Sequence, residues 1–118
     1  MAKQNVVKEK SYDFAVRIVN LVRYLQEQKK EYVLSKQVLR SGTSIGANVA
    51  EADAGQSKKD FIAKMSIASK EARETHYWLR LLSDTEYLEQ KAAASILEDS
   101  EELIKLLTAI LKTAQSNV

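Results

Sequence analysis

The chain of 118 residues contains no cysteine and no proline, only three glycines, and a single histidine. Without cysteine there is no disulfide scaffold, no thiolate metal site and no cysteine nucleophile. The lack of proline disfavours a fold built on shaped loops and favours long helices with short connections. One histidine weakens most hydrolase and metal-site readings. No run reaches the ~18 apolar residues of a membrane span, and Met1 to Lys10 lacks the apolar core of a signal peptide. The default location is the cytoplasm, with no membrane partner.

What is present is helical periodicity. Phe14, Ile18, Leu21, Val22 and Leu25 recur at steps of three and four, one face of an amphipathic helix over about 9–28. Ser11 is a candidate N-cap, unless the helix begins a turn earlier. Gln26 to Glu31 is a polar break. Leu34, Val38, Ser41, Gly42, Ile45, Val49 and Ala52 form a second stripe, over 34–54, with Ser35 as a candidate cap. Gly42 and Gly46 inside this helix each cost about 1 kcal/mol relative to alanine. Close approach of a neighbouring helix is the expected reason, a break near Ser41 to Thr43 the alternative. Gly55 is placed to end the helix in the left-handed conformation.

Ser57, with Asp60 three residues on, predicts the start of a third helix over 57–83, carried by Phe61, Met65, Ala68, Ala72, His76 and Leu79. Ala68 and Ala72 are small enough to meet the small face of helix two. A fourth helix, over 86–114, follows from Leu88, Ala92, Ile96, Leu103, Leu107, Ile110 and Leu111. The pattern predicts a single all-α domain, an antiparallel up-down-up-down four-helix bundle spanning 1–118. Ile67, Tyr77, Trp78, Leu81, Tyr87, Ile104 and Leu106 are apolar in excess of the four stripes. Tyr77, Trp78 and Leu81 are therefore candidate interface residues.

Eighteen basic and sixteen acidic side chains leave a net charge of +2, but they are unevenly distributed. Residues 1–40 hold nine basic and four acidic groups, a net +5; residues 84–102 hold one basic and seven acidic groups, a net −6. Such asymmetry can steer a partner or attract copies of the chain. Lys8, Lys10, Arg17, Arg23, Lys29, Lys30, Lys58 and Lys59 are candidate contacts to a phosphate backbone, although no base-reading or RNA-stacking motif accompanies them.

No constellation points to catalysis, a metal or a cofactor. His76 lies on the apolar line of helix three, and Arg73 stands where a di-iron bundle needs glutamate. A structural role in core or interface is expected of it. Gly42-x-x-x-Gly46 lacks the glycine density and the lysine of a phosphate loop. Arg40, Ser44, Asn48 and Glu51 are spaced to form a polar ladder, which Glu71, Glu74 and Arg80 of helix three are placed to answer. A carboxylate held there needs hydrogen bonds or an arginine.

The run Arg40-Ser41-Gly42-Thr43-Ser44-Ile45-Gly46-Ala47-Asn48-Val49-Ala50-Glu51-Ala52 resembles the signature of the 23S rRNA intervening-sequence protein family. Phe61, Ile67-Ala68-Ser69-Lys70-Glu71 and Tyr77-Trp78-Leu79 extend the resemblance over about residues 8–112. Val49 replaces the family's common isoleucine, and Ala52 a common glycine. The resemblance implies a four-helix bundle assembling as a ring-shaped homopentamer, with no established molecular function. Arg40, Ser41, Ser44, Asn48, Glu51 and Glu71 are the family-motif positions. A distantly similar branch, the accessory protein of diversity-generating retroelements, implies an alternative: nucleic-acid binding through a basic face of the oligomer, or binding of a protein partner.

Overall fold

Apolar side chains returning every three or four residues commit most of the chain to helix, and a computed structural model shows four of them. It describes residues 2–116, with side chains from residue 4. Met1, Asn117 and Val118 lie outside the described residues. The helices are α1 (Ala2–Gln28), α2 (Leu34–Asp53), α3 (Lys58–Asp84) and α4 (Gln90–Ser116). Each packs on its neighbour in the chain, and α1 closes the ring against α4.

Cross-helix pairs fix the directions. Between α1 and α2, Lys8 bonds Asp53 and Ile18 abuts Gly42; between α2 and α3, Glu51 bonds Lys64 and Arg40 bonds Glu71; between α3 and α4, His76 meets Glu101 and Arg73 donates to Thr108; between α1 and α4, Lys10 bonds Glu102 and Arg17 bonds Asp99. Residue numbers rise on one helix of each adjacent pair as they fall on the other, so neighbours are antiparallel. The bundle measures 47 × 21 × 18 Å. Its interior holds Phe14, Ile18, Leu25, Ile45, Met65, Leu79, Leu82, Leu103 and Leu107, all nearly inaccessible to solvent.

The structure corrects the expected boundaries in several places. Helix one starts at Ala2 rather than near residue 9. Val7, Ser11, Phe14 and Ile18 form one buried line, so Ser11 is not a cap. Its hydroxyl donates to the Lys8 carbonyl at 3.2 Å. Its backbone faces Gly46, where an added Cβ would lie 3.2 Å from the Ser11 carbonyl oxygen. Helix two is unbroken, and its glycines admit α1: a Cβ at Gly42 would lie 2.8 Å from Ile18 Cγ1.

Ser35 does not cap α2. Glu31 folds its carboxylate onto three free amides at the helix start, accepting from Ser35 N at 2.7 Å, Leu34 N at 3.0 Å and Val33 N at 3.2 Å. These are the donors a helix N-terminus leaves unpaired. The Ser35 hydroxyl instead donates to the Glu31 carbonyl at 2.8 Å. Helix two ends at Asp53, and Gly55 does not adopt the left-handed conformation. Ser57 does cap α3, accepting from Asp60 N at 3.0 Å, although the helix proper starts at Lys58 and runs to Asp84.

The left-handed positions belong to Lys30 (φ 54°) and Glu86 (φ 66°). After α3, Glu86 N donates to Ser83 O and Tyr87 N to Leu82 O, the paired closure of a Schellman end. Residues 85–89 are consumed in this reversal. Helix four consequently starts at Gln90 rather than at 86 and extends to Ser116.

Candidate functional site

Two family-motif positions of α2, Arg40 and Ser41, meet α3 near the middle of the bundle. Arg40 reaches across to two carboxylates of α3, donating to Glu71 at 2.9 Å and also to Glu74. Glu71 is 8% exposed. An arginine fork beside it supplies the compensation that a nearly buried carboxylate requires. The Trp78 indole N–H donates to Glu74 at 3.0 Å, tying the aromatic ring into the same cluster.

One turn deeper, Thr75 Oγ1 lies 2.9 Å from Ser41 Oγ. Each hydroxyl also lies within bonding distance of the carbonyl four residues earlier on its own helix, Glu71 O at 2.7 Å and Gln37 O at 3.0 Å. Both residues are fully buried, so this pair fixes the α2–α3 register by a polar contact inside an apolar seam.

The remaining ladder positions do not join. Asn48 bonds within α2, to Ser44 O at 2.8 Å and Ser44 Oγ at 3.1 Å. Glu51 points to solvent and pairs with Lys64 at 3.0 Å, not with the Arg40 cluster. Arg80 is exposed and makes no ion pair among the described residues. The arrangement therefore clamps two helices together. Among the described residues no group of three or more acidic or histidine side chains is placed to hold a metal ion.

His76 is not in the core. It lies at the α3–α4 edge, its Nε2 3.3 Å from Glu101. Trp78 is half-buried against the core and Leu81 is half-buried, whereas Tyr77 is 58% exposed and meets Trp78 edge-on with ring centres 5.1 Å apart.

Much of the charge asymmetry is satisfied within the molecule. Lys8 pairs with Asp53 at 2.9 Å, Lys10 with Glu102 at 3.2 Å, and Arg17 with Asp99 at 2.6 Å. The basic start of the chain thus lies against the acidic stretch of α4. Arg23, Lys29 and Lys30 are exposed near one end of the bundle, and Lys58 and Lys59 at the opposite end. An open apolar groove of about 400 Å³ separates α1 from α4, lined by Leu21, Tyr24, Leu88, Ala92 and Ile96 with Arg17 at its edge.

Sequence reasoning missed Glu31, because a glutamate inside a polar break has the same signature as a solvated one. Val7 carried a usable signal, standing four residues before Ser11 and seven before Phe14. No described helix is long and apolar enough to cross a membrane.

Comparison with known proteins agrees with this architecture. A solved structure described as a protein of unknown function from the S23 ribosomal protein family, from Bacteroides thetaiotaomicron, superposes with a TM-score of 0.91 at 59% identity. The match covers 93% of this chain and 98% of that one. A search among curated proteins finds no match. The family model for the 23S rRNA-intervening sequence protein matches residues 3–109, and the chain belongs to that family.

Proposed function

We propose that this protein is a non-enzymatic, self-assembling module of the cytoplasm, whose first partner is a further copy of itself. The observation that carries the reading is the set of large apolar side chains left outside a filled core. Tyr12 is 69% exposed, Val33 72%, Tyr77 58%, and Val16 and Ile67 more than 40%. Single exposed apolar residues are ordinary, but clusters on helix faces mark interaction surfaces. The resemblance to ring-forming relatives favours five copies. The Arg40–Glu71–Glu74 cluster then serves to hold α2 and α3 rigid beneath these surfaces.

Nucleic-acid binding has less support. Three of the eight basic candidates are engaged by carboxylates, and the others are divided between the two ends of a molecule 47 Å long. Light scattering at micromolar concentration tests the main reading. A mass several times the 13.3 kDa of one chain, with five copies preferred, is expected; a 13.3 kDa species overturns it. A gel shift with structured RNA and duplex DNA tests the alternative. Retention at low salt that weakens as salt rises would favour nucleic-acid binding instead.

A further inference from the structure

Helices α1 and α4 are bridged over only part of their length. Lys10 pairs with Glu102 and Arg17 with Asp99, and from Arg17 to the end of α1 no ion pair or side-chain hydrogen bond crosses this seam among the described residues. The open groove of about 400 Å³ lies there. Its cause is visible in the inward stripe of α4. Leu88 and Ile96 are buried, whereas Ala92, one turn from each, is exposed, because alanine is too short to fill the seam. On the α1 side Leu21 is half-buried and Tyr24 is 41% exposed. From Arg17 to Tyr24 is a rise of about 10 Å along the helix.

The two ends of the groove differ in charge. Arg17 is engaged by Asp99 at 2.6 Å, and this pair closes one end. At the other end Glu89 lines the mouth, and its carboxylate makes no ion pair or hydrogen bond among the described residues. Asp84 and Glu86, in the same connection between α3 and α4, are exposed and equally without an ion pair among the described residues. Arg23 and Lys91 are exposed on α1 and α4 but do not line the groove. The floor is therefore apolar and the mouth at Glu89 acidic.

We infer that this groove receives an amphipathic helix of a different protein, with apolar side chains on Leu21, Leu88 and Ile96 and a lysine or arginine at Glu89. A concave site of this size, mostly apolar and set between helices of a bundle, is of the kind that takes up a ligand. Apolar anchors at i, i+3 or i+4, and i+7 of an incoming helix span about 10 Å, which matches the rise from Arg17 to Tyr24. Charge selects the flanking residue. A cation at the mouth meets the free carboxylate of Glu89, whereas a glutamate there meets Glu89, Glu86 and Asp84 together. The inference goes beyond self-assembly and does not depend on it, because the groove is complete within one copy.

The test uses the full-length protein and two fluorescein-labelled peptides of about 15 residues, long enough to hold a helix. Both carry leucine at i, i+3 and i+7 on an alanine background; lysine flanks the leucines in one and glutamate in the other. By fluorescence anisotropy the lysine peptide is expected to bind the wild type about tenfold or more tightly than the glutamate peptide. Glu89→Lys should reverse that preference. Ala92→Trp, which fills the groove, should abolish binding of both peptides. Thermal melts by circular dichroism check that the variants fold; should Ala92→Trp fail, Ala92→Gln, which lays a polar chain over the groove, takes its place with the same expectation. No binding to the wild type, equal affinity for the two peptides, or unchanged binding to the filled variant overturns the inference. A folded Ala92→Trp protein that loses an assembly formed by the wild type in light scattering also overturns it, because a second copy then covers the groove.

Discussion

Gly42→Ala places a methyl carbon 2.8 Å from Ile18 Cγ1, 2.9 Å from Cγ2 and 3.1 Å from Cδ1. Ordinary contacts between carbons fall at about 3.5–4.0 Å. Ile18 is fully buried, and the two nearest atoms are its branch carbons rather than a flexible tip, so relief requires the α1–α2 seam to open. Overpacking of this kind costs about 1–3 kcal/mol. Alanine returns about 1 kcal/mol through its higher helix propensity. The net expectation is a loss of up to about 2 kcal/mol. Urea denaturation at one fixed protomer concentration measures it, because assembly makes apparent stability depend on concentration. A double-mutant cycle isolates the cause. Ile18→Ala alone should cost about 2–5 kcal/mol through the cavity it leaves. In the Gly42→Ala background it should cost less by more than ~1 kcal/mol, since the new methyl then occupies vacated space. A stabilised Gly42→Ala, or an Ile18→Ala cost that is the same in both backgrounds, would refute the close-approach account of this glycine.

Glu86→Gly removes a side chain from a left-handed position in the α3 closure and should raise stability by about 0.5–1 kcal/mol, read as a higher urea midpoint with unchanged slope; a lower midpoint would contradict the assignment. Glu31→Ala strips the cap from α2 and should cost about 1–3 kcal/mol. Hydrogen exchange should quicken at the amides of residues 33–35, and unaltered exchange there would count against the cap. Arg40→Ala should destabilise by about 1–3 kcal/mol because Glu71 is left nearly buried without its cation, whereas Lys8→Ala, which breaks a surface pair, should cost under about 1 kcal/mol. Equal losses in a thermal-melt comparison would argue that the Arg40 cluster carries no more than a surface ion pair.

The helices were legible because the core repeats at helical spacing with no proline to interrupt it. Ser57 also had the pattern of a cap, with Asp60 in the first turn, and acts as one. Ser11 had a similar appearance but a different role: a serine before an apolar stripe resembles a cap, and only the packing of Gly46 against its backbone shows it to be part of the seam. Gly55 invited the left-handed end of α2, yet that conformation went to Lys30 and Glu86, since chain reversal rather than residue preference decides where positive φ falls. Within the polar ladder, the sequence spacing correctly juxtaposed Arg40 with Glu71 and Glu74. It could not reveal that Glu51, near the far end of α2, has Lys64 within reach and no need of the cluster. In the sequence the charge asymmetry looks like a signal to partners, because sequence alone does not show that α1 and α4 are neighbours, which is what allows Arg17 and Lys10 to meet Asp99 and Glu102.

Sedimentation equilibrium of the wild-type protein over a micromolar concentration series shows whether copies of the same chain cover the exposed apolar faces of this bundle. Self-assembly requires a single assembled mass that is a whole multiple of 13.3 kDa, five being the preferred number, holding as the protein is diluted through that range. A mass of 13.3 kDa at every concentration would contradict it.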